Sequence, residues 1–535
     1  MTVQIHIQEV ENWHFLKLYL KQGEFDCWVY DQWEHLNLLH EITTLLKNID
    51  SVDLIHKKIS EFCVNYPSEY AIVISGVNYC FAIVDHMRSK PIFYKFENKI
   101  IHISDTPNIL PSYQKPYLKK RYLNEFVLSG YVAGNKTLLN NIFQIPAGEY
   151  LEFSKGQCRL NQYYNFWRND SGKVLNDNGY KTFNDIFLNV FDEMLRANPD
   201  KRVVLLLSGG MDSRYILSCL LQLRAKNVLL LSYGRRYFRD PYLACKLAKL
   251  TPYQWKFVPY SFRTWNLVNH SHQNSVFVND NHHFTSVPYG QEVYTLCYLK
   301  EKGVLNDECI FINGDSGGLL SGSHLSSIKN PSELDFTNII QKLFMQKFSL
   351  WNNSSMDESD RLDIMNVMRS ELSEVPDYNR YHANYYDWWE WKETTAKRLI
   401  SAKREFAHFG HKLFHPFWDK RIINFFQTVP LSARINQTFY YNSYNFLTKR
   451  IRHEMLDIPN TKPGIVKFGG KKVQRGIEYV TKPRWGKFSL NDFSHSRQVA
   501  KRLLNSTSFG GYPQIMALNT GSILWKLMKE FRVRR

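Results

Sequence analysis

Six consecutive residues combine small size, hydroxyls and one acid: Ser208-Gly209-Gly210-Met211-Asp212-Ser213. They follow a continuous apolar run, Val203 to Leu207, and precede a stretch in which Tyr215, Ile216, Cys219, Leu220 and Leu223 recur at helical spacing. A strand buried on both faces thus runs through two glycines into a helix. Glycines let backbone N–H groups approach an anion closely, and the start of a helix turns its positive end toward it. Ser208 and Ser213 add hydroxyl donors, and Asp212 is suited to hold Mg2+ bridging phosphates. No lysine follows the glycines, so this is a phosphate loop of a kind other than Walker A.

The elements that must position this loop follow from the patterning. The first 165 or so residues read as β-rich: Val3, Ile5 and Ile7 alternate with polar neighbours, as do Leu16, Leu18 and Leu20. Short apolar runs at 71–74, 81–84, 92–94 and 100–103 are punctuated by Gly76, Asp85, Pro91, Asn98 and Asp105. Polar residues around 169–172 and 176–179 read as a linker, with Thr182 as the cap of a following helix that carries Phe183, Phe187, Val190, Phe191 and Met194. Strands then alternate with helices: 203–207, 228–231, 255–260 and 309–312 are strand-like, and Pro241 suits the first turn of the helix bearing Leu243, Leu247 and Leu250. That alternation predicts a mainly parallel sheet, and the last ~200 residues read as mostly helical. The organisation expected is residues 1–165, a linker at 166–180, and a second domain over 181–535.

Bulk properties narrow the function classes. No apolar run approaches the ~20 residues of a membrane-spanning helix, and the N-terminus lacks the pattern of a signal peptide. The eight cysteines form no C-x-x-C pair, which argues against a zinc site and points to a reduced, cytoplasmic protein. The net charge of +18, with basic clusters at 119–121, 471–475 and 526–535, keeps a protein soluble or draws it to polyanions such as ATP, acidic glycans or an anionic membrane surface. No helix-turn-helix, RRM or zinc-finger pattern supports a nucleic-acid role.

The S-G-G-x-D-S pattern after an apolar strand resembles the pyrophosphate loop of the asparagine synthetase superfamily. Further segments carry the resemblance along the chain: Ser75-Gly76 through Asp85, Pro91-Ile92-Phe93-Tyr94, Ile103-Ser104-Asp105, Gly130-Tyr131-Val132 and Pro146-Ala147-Gly148, then Tyr233-Gly234, Asp240 and His415-Pro416-Phe417-Trp418-Asp419. Asn313-Gly314-Asp315-Ser316-Gly317-Gly318 is similar to the superfamily's S-G-[DE]-G-x-D-E stretch. The resemblance implies an N-terminal class II glutamine amidotransferase-like domain, a β-sandwich between helices of the N-terminal-nucleophile type. It implies next a PP-loop ATP-pyrophosphatase domain of the adenine nucleotide α-hydrolase type with a helical C-terminal part. The implied chemistry cleaves ATP between the α and β phosphates, forms an acyl-adenylate and passes the acyl group to an amine. The implied cofactors are ATP and Mg2+. The implied nucleotide-binding residues are Leu206, Ser208, Gly209, Gly210, Asp212, Ser213, Tyr233 and Gly314, with the metal on Asp212. Asp315 would orient the nucleophile, and Lys462, with Lys467 as fallback, would balance charge.

Two positions depart from the family. Thr2 stands where the amidotransferase cysteine is expected, which implies a degenerate glutaminase domain supplied by ammonia or another amine. Gly318 falls where an acid for metal and pyrophosphate is usual. The aromatic stretch Tyr385-Tyr386-Asp387-Trp388-Trp389-Glu390-Trp391-Lys392 is either core or a stacking face for a sugar, and its continuation to Pro416, with Gly322-Ser323-His324, resembles a branch found in surface-polysaccharide clusters. His324 is either a substrate contact or a hydrogen-bonded structural histidine. Uronic-acid amidation is the leading expectation, ahead of free asparagine synthesis and lasso-type peptide cyclisation. A nucleotide-binding homologue without catalysis is the alternative from another class. The expected partners are a small-molecule or glycan carboxylate and an amine; a membrane-peripheral location is compatible with the charge, and an oligomer is left open.

Overall fold

The computed structural model describes residues 2–449 except 9–11, 21–22, 34–36, 48, 50, 111–116, 167–176, 235–238, 261–270, 282, 289, 306, 328–334, 353–355, 374 and 376–382. Beyond 449 it describes 502–504, 523–524, 527–529 and 532–534. Among its described residues the first part contains eleven strands: β1 (Thr2–His6), β2 (Trp13–Leu20), β3 (Gly23–Tyr30), β4 (Ala71–Gly76), β5 (Tyr79–Val84), β6 (Phe93–Glu97), β7 (Ile100–Ser104), β8 (Tyr117–Lys119), β9 (Phe143–Gln144), β10 (Glu149–Ser154) and β11 (Gln157–Gln162). Ten of them form an antiparallel six-stranded sheet in the order β11-β10-β5-β4-β3-β2 and a four-stranded sheet in the order β1-β7-β6-β9; β8 belongs to neither. β5 shows why the two sheets stack. All six of its residues are buried. Cys80, Ala82 and Val84 meet Ile101, Ile103 and Tyr94 of the smaller sheet. Tyr79, Phe81 and Ile83 point the other way, onto Leu38, Ile42 and Leu46 of α1 (Leu38–Lys47) and Ile55, Ile59 and Cys63 of α2 (Ile55–Asn65). A period of two with both faces covered gives a continuously apolar strand.

The second part is built on a five-stranded parallel sheet of β12 (Arg202–Leu206), β13 (Val228–Gly234), β14 (Gln254–Pro259), β15 (Cys309–Ile312) and β16 (Lys412–Phe414), in the order β14-β13-β12-β15-β16. β12 pairs in parallel with β13 (Val204 opposite Leu229) and with β15 (Val204 opposite Phe311). Val203 and Leu205 face one core, and Val204 faces the other with Leu229, Leu296, Leu299, Phe311 and Phe406. The chain leaves β12 toward β13 and returns on the other side as β15, so the strand order reverses between β12 and β15. In open α/β sheets, ligands bind outside the carboxyl ends of the strands at that reversal. Helices make up most of the remainder of the described chain, and β17 (Arg532–Arg534) pairs in parallel with β8. Among the described residues, no helix is long and apolar enough to cross a membrane.

The fold is therefore mixed α/β, with antiparallel sheets followed by a parallel sheet and a helical C-terminal part, as the patterning predicts. Two local expectations are corrected. After α3 (Lys120–Ser129), helix α4 spans Asp177–Ala197 and so begins inside the stretch read as linker. Thr182 is no cap: it lies within the helix, its hydroxyl donating to the Asn178 carbonyl at 2.9 Å, while Asp177 supplies the acid that suits the first turn. The sandwich and the parallel-sheet region share one core and a buried clamp. Lys397, fully buried, donates to the carbonyls of Val132 (2.9 Å) and Gly134 (2.7 Å) and pairs with Glu393 at 2.6 Å.

Candidate active site

The loop after β12 and the loop after β15 meet at the strand-order reversal. Residues 207–210 leave β12, and helix α5 (Met211–Gln222) starts directly behind Gly210. Ser208 and Ser213 close this turn on themselves: their hydroxyls lie 3.1 Å apart, the Gly210 N–H donates to Ser208 Oγ at 3.0 Å, and Ser213 Oγ donates to the Ser208 and Gly210 carbonyls. Ser208 and Gly210 are exposed, and Gly209 and Ser213 are buried beneath them. The result is a pre-formed turn, closed by its own hydrogen bonds, that sets the exposed Ser208 and Gly210 at a helix N-terminus, a setting that favours an anion.

The second loop lies against Asp212. A Cβ at Gly314 would stand 2.8 Å from Asp212 Cβ, and one at Gly317 would stand 2.3 Å from Asp212 Oδ1. Only glycine at both positions allows this approach. Gly318 differs: a Cβ there would meet Ser323 Oγ at 2.7 Å, so a side chain at 318 would leave the backbone toward Ser323. Ser316 holds φ at +76°, and its hydroxyl accepts from Trp418 Nε1 at 2.5 Å, which ties the loop to the turn Pro416–Trp418.

Asp212 accepts a hydrogen bond from Tyr440 at 2.8 Å on Oδ1. Its pKa is pushed up to about 7: desolvation raises it most, the Tyr440 hydrogen bond lowers it, and the Asp315 carboxylate raises it again. A carboxylate so disfavoured as an anion is one that a cation would relieve. Among the described residues, no group of three or more His, Cys, Asp or Glu side chains is gathered to hold a metal. Asp212, with Asp315 near it, offers carboxylate oxygens of the kind that suit a hard cation such as Mg2+.

Asp315 is held from behind. Asn313 Nδ2 donates to its Oδ2 at 2.9 Å, and the Lys403 ammonium lies 2.5 Å from the same oxygen. Lys403 also faces Glu292 at 3.6 Å, and Glu292 accepts from the Tyr233 hydroxyl at 2.6 Å. Burial and the adjacent Glu292 carboxyl push the Glu405 carboxyl well above its usual range, and burial lowers His415 to about 4.

The structure thus brings Ser208, Gly209, Gly210, Asp212, Ser213, Gly314 and Asp315 together. Leu206 ends the strand beneath them, and Tyr233 stands at the end of the neighbouring β13. Lys462 and Lys467 lie outside the described residues. Lys403, Glu292 and Tyr440 were not singled out by sequence reasoning. Each is a common residue type in an unremarkable local context, and each arrives from a distant part of the chain. His324 is the hydrogen-bonded histidine of the two readings: its Nε2 lies 2.8 Å from Asp387 Oδ1, and Arg434 clamps Asp387 at 3.0 and 3.1 Å while donating to the Leu319 and Leu320 carbonyls. Tyr385, Tyr386, Trp388, Trp389 and Trp391 are all buried, so the aromatic stretch is core.

Residues 65–164 match the family model of a glutamine amidotransferase domain. No curated protein matches the chain significantly. Among solved structures it is similar to the NH3-dependent NAD synthetase from Campylobacter jejuni, at 15% identity and a TM-score of 0.21, over 38% of this chain and 92% of that one. It is also similar to the NMN synthetase from Francisella tularensis, at 13% identity and a TM-score of 0.21, over 54% and 99%. TM-scores of this size carry no inference about fold or function, so the architecture stands on the strand order and register above.

Proposed function

We propose that this chain is an ATP-dependent carbon–nitrogen ligase that activates a carboxylate as its adenylate and passes the acyl group to an amine. The observation that carries the reading is the meeting of two loops at the sheet's reversal, with Asp212 directly behind the pre-formed turn of the first and Asp315 near it on the second. In this reading the substrate carboxylate oxygen attacks the α-phosphorus of ATP, and the bond to the β-phosphate breaks. Bound Mg2+ would neutralise the phosphates and the leaving pyrophosphate. Ser208, Ser213 and the turn's N–H groups hold the phosphates, and Asp212 is the residue that would carry the metal. Gly314 leaves room beside Asp212, and the Leu206 and Tyr233 strand ends flank the base. Asp315 orients the amine, which attacks the acyl carbon as AMP leaves and a proton is released.

The amine source is proposed to be ammonia or a substrate amine rather than glutamine. Thr2 lies exposed on the edge strand β1, paired with Ile100, and a threonine hydroxyl is a poor nucleophile at neutral pH without an activating base. For the acid, a uronic acid of surface-polysaccharide assembly leads, supported by the resemblance of 322–324 and 385–416 and by the net charge of +18. The buried aromatic stretch lends no support to a sugar-stacking face. Gly318 favours a second reading, a nucleotide-binding homologue without catalysis, because an acid usual in the family is missing there.

The test is pyrophosphate release from the purified chain with Mg-ATP and ammonium across aspartate, uronic acids and nucleotide-linked uronic acids. Release dependent on one acid supports the ligase. ATP binding without release under any acid supports the second reading.

A further inference from the structure

Asp315 has two oxygens in different surroundings. Oδ2 receives both the Asn313 amide (2.9 Å) and the Lys403 ammonium (2.5 Å). Among the described residues no side chain donates to Oδ1, and the Asp315 side chain is 24% exposed while that of Lys403 is 3% exposed. Two donors on one oxygen fix the carboxylate plane, and neither engages the other oxygen of this partly exposed side chain. The Asp315 N–H donates back to Asn313 Oδ1 at 3.2 Å, which locks the pair.

Lys403 is in turn placed by groups from several elements. Glu292, at the start of the helix Val293–Glu301, faces it at 3.6 Å, and Glu292 is itself bound by Tyr233 from the end of β13. Glu405 lies close to Glu292, and His415 beyond β16 completes the surroundings together with Arg404. Lys403, Arg404 and His415 also line a cavity of about 110 Å³ that the sandwich closes with Glu69, Ser89 and Lys90. The lysine thus lines this cavity and holds Asp315 at the same time. An unbroken chain of contacts runs from Tyr233 through Glu292 and Lys403 to Asp315, joining the ends of β13 and β15 behind the phosphate turn.

We propose that Lys403 is a positioning residue for the amine step: by binding Asp315 Oδ2 it presents Asp315 Oδ1 to the incoming amine, and through Glu292 and Tyr233 it ties that orientation to the end of β13 where the nucleotide base would lie. This rests on the ligase reading above. Lys403 touches neither nucleotide nor acid in this scheme, so its loss weakens use of the amine while leaving nucleotide affinity alone.

The experiment compares wild type with Lys403→Met, Lys403→Arg and Glu292→Gln in the full chain. It measures ATP affinity by equilibrium titration, and kcat and KM for ammonium on the acid found active. Misplacing an oriented group by about 1 Å costs on the order of 100-fold. Lys403→Met is therefore expected to lower kcat for amide formation by roughly 100-fold with the ATP dissociation constant within about threefold of wild type. Lys403→Arg, which keeps the charge, is expected to recover to within about tenfold. A kcat unchanged in Lys403→Met overturns the inference, and so does a joint loss of ATP affinity and kcat that arginine does not rescue. Should Lys403→Met fail to fold, Glu292→Gln carries the test: a lower kcat at unchanged ATP affinity supports the chain of contacts, and an unchanged kcat refutes it. A wild type that releases no pyrophosphate with any acid overturns the ligase reading and the inference with it. A wild type active alongside an equally active Lys403→Met overturns the inference alone.

Discussion

Asp212→Asn separates stability from function. In the folded chain burial, against the opposing Tyr440 hydrogen bond, pushes the Asp212 carboxyl from 3.8 up to about 7. A carboxyl whose folded pKa is raised keeps its proton in the folded state at pH values where the unfolded chain has released it. Stability therefore falls as pH rises from 3.8 through about 7, and the penalty is complete above that. At roughly 1.36 kcal/mol per unit the upper bound is about 4 kcal/mol, and partial solvent access brings the expectation to about 2–4 kcal/mol. Asparagine keeps an acceptor for Tyr440 and carries no charge, so the variant escapes the penalty. Asp212→Asn should be more stable than wild type at pH 8, and its advantage should shrink by about 1–3 kcal/mol at pH 5. Paired denaturant unfolding of the two proteins at both pH values measures this. The same variant should lose Mg2+-dependent ATP binding. An asparagine variant that is less stable than wild type at both pH values, by the same amount, would refute the reasoning that Asp212 is a desolvated anion waiting for a cation.

Other perturbations follow from named contacts. Gly317→Ala places a methyl 2.3 Å from Asp212 Oδ1, which must move, and pyrophosphate release should fall on the order of 100-fold with the circular dichroism spectrum unchanged. Activity within a few-fold of wild type would show that the loop gives way freely. Lys397→Met leaves Glu393 buried without its ammonium and removes two carbonyl contacts, so thermal melting should show a loss of about 3–5 kcal/mol; an unshifted melt contradicts the clamp. Arg434→Ala removes the donors to Leu319, Leu320 and Asp387, and should cost a similar ~3–5 kcal/mol and loosen the loop that carries Asp315, read as slower pyrophosphate release. Glutamine offered in place of ammonium should support no amide formation, and equal rates with glutamine alone would return Thr2 to the mechanism.

What was legible in the sequence is what is encoded locally. The apolar run before Ser208, the paired glycines and the acid describe a strand, a turn and a helix start within a dozen residues, and the structure places them so. The second loop was legible only through its resemblance to the family's stretch, and the strand–helix alternation predicted a parallel sheet but not the order in which its strands pair. The partners that tune the site were not. Tyr440 reaches Asp212 across 228 residues of chain, and Lys403 reaches Asp315 from beyond the π-helical turns of Glu390–Ile400. Neither lies in a pattern that marks it, because only tertiary packing brings them near. The aromatic stretch at 385–391 shows the converse: its composition allowed a binding face, and burial assigns it to the core. The start of α4 at Asp177 was missed because polar, glycine-containing sequence reads as linker when the packing of its later apolar face is unknown.

The central claim, attack of a carboxylate on the α-phosphorus of ATP, is tested most directly with an acid substrate labelled with heavy oxygen in its carboxyl group. The account predicts one labelled oxygen in the AMP produced, with pyrophosphate unlabelled. Label appearing in inorganic phosphate alongside ADP would contradict it, since that pattern requires attack at the γ-phosphorus.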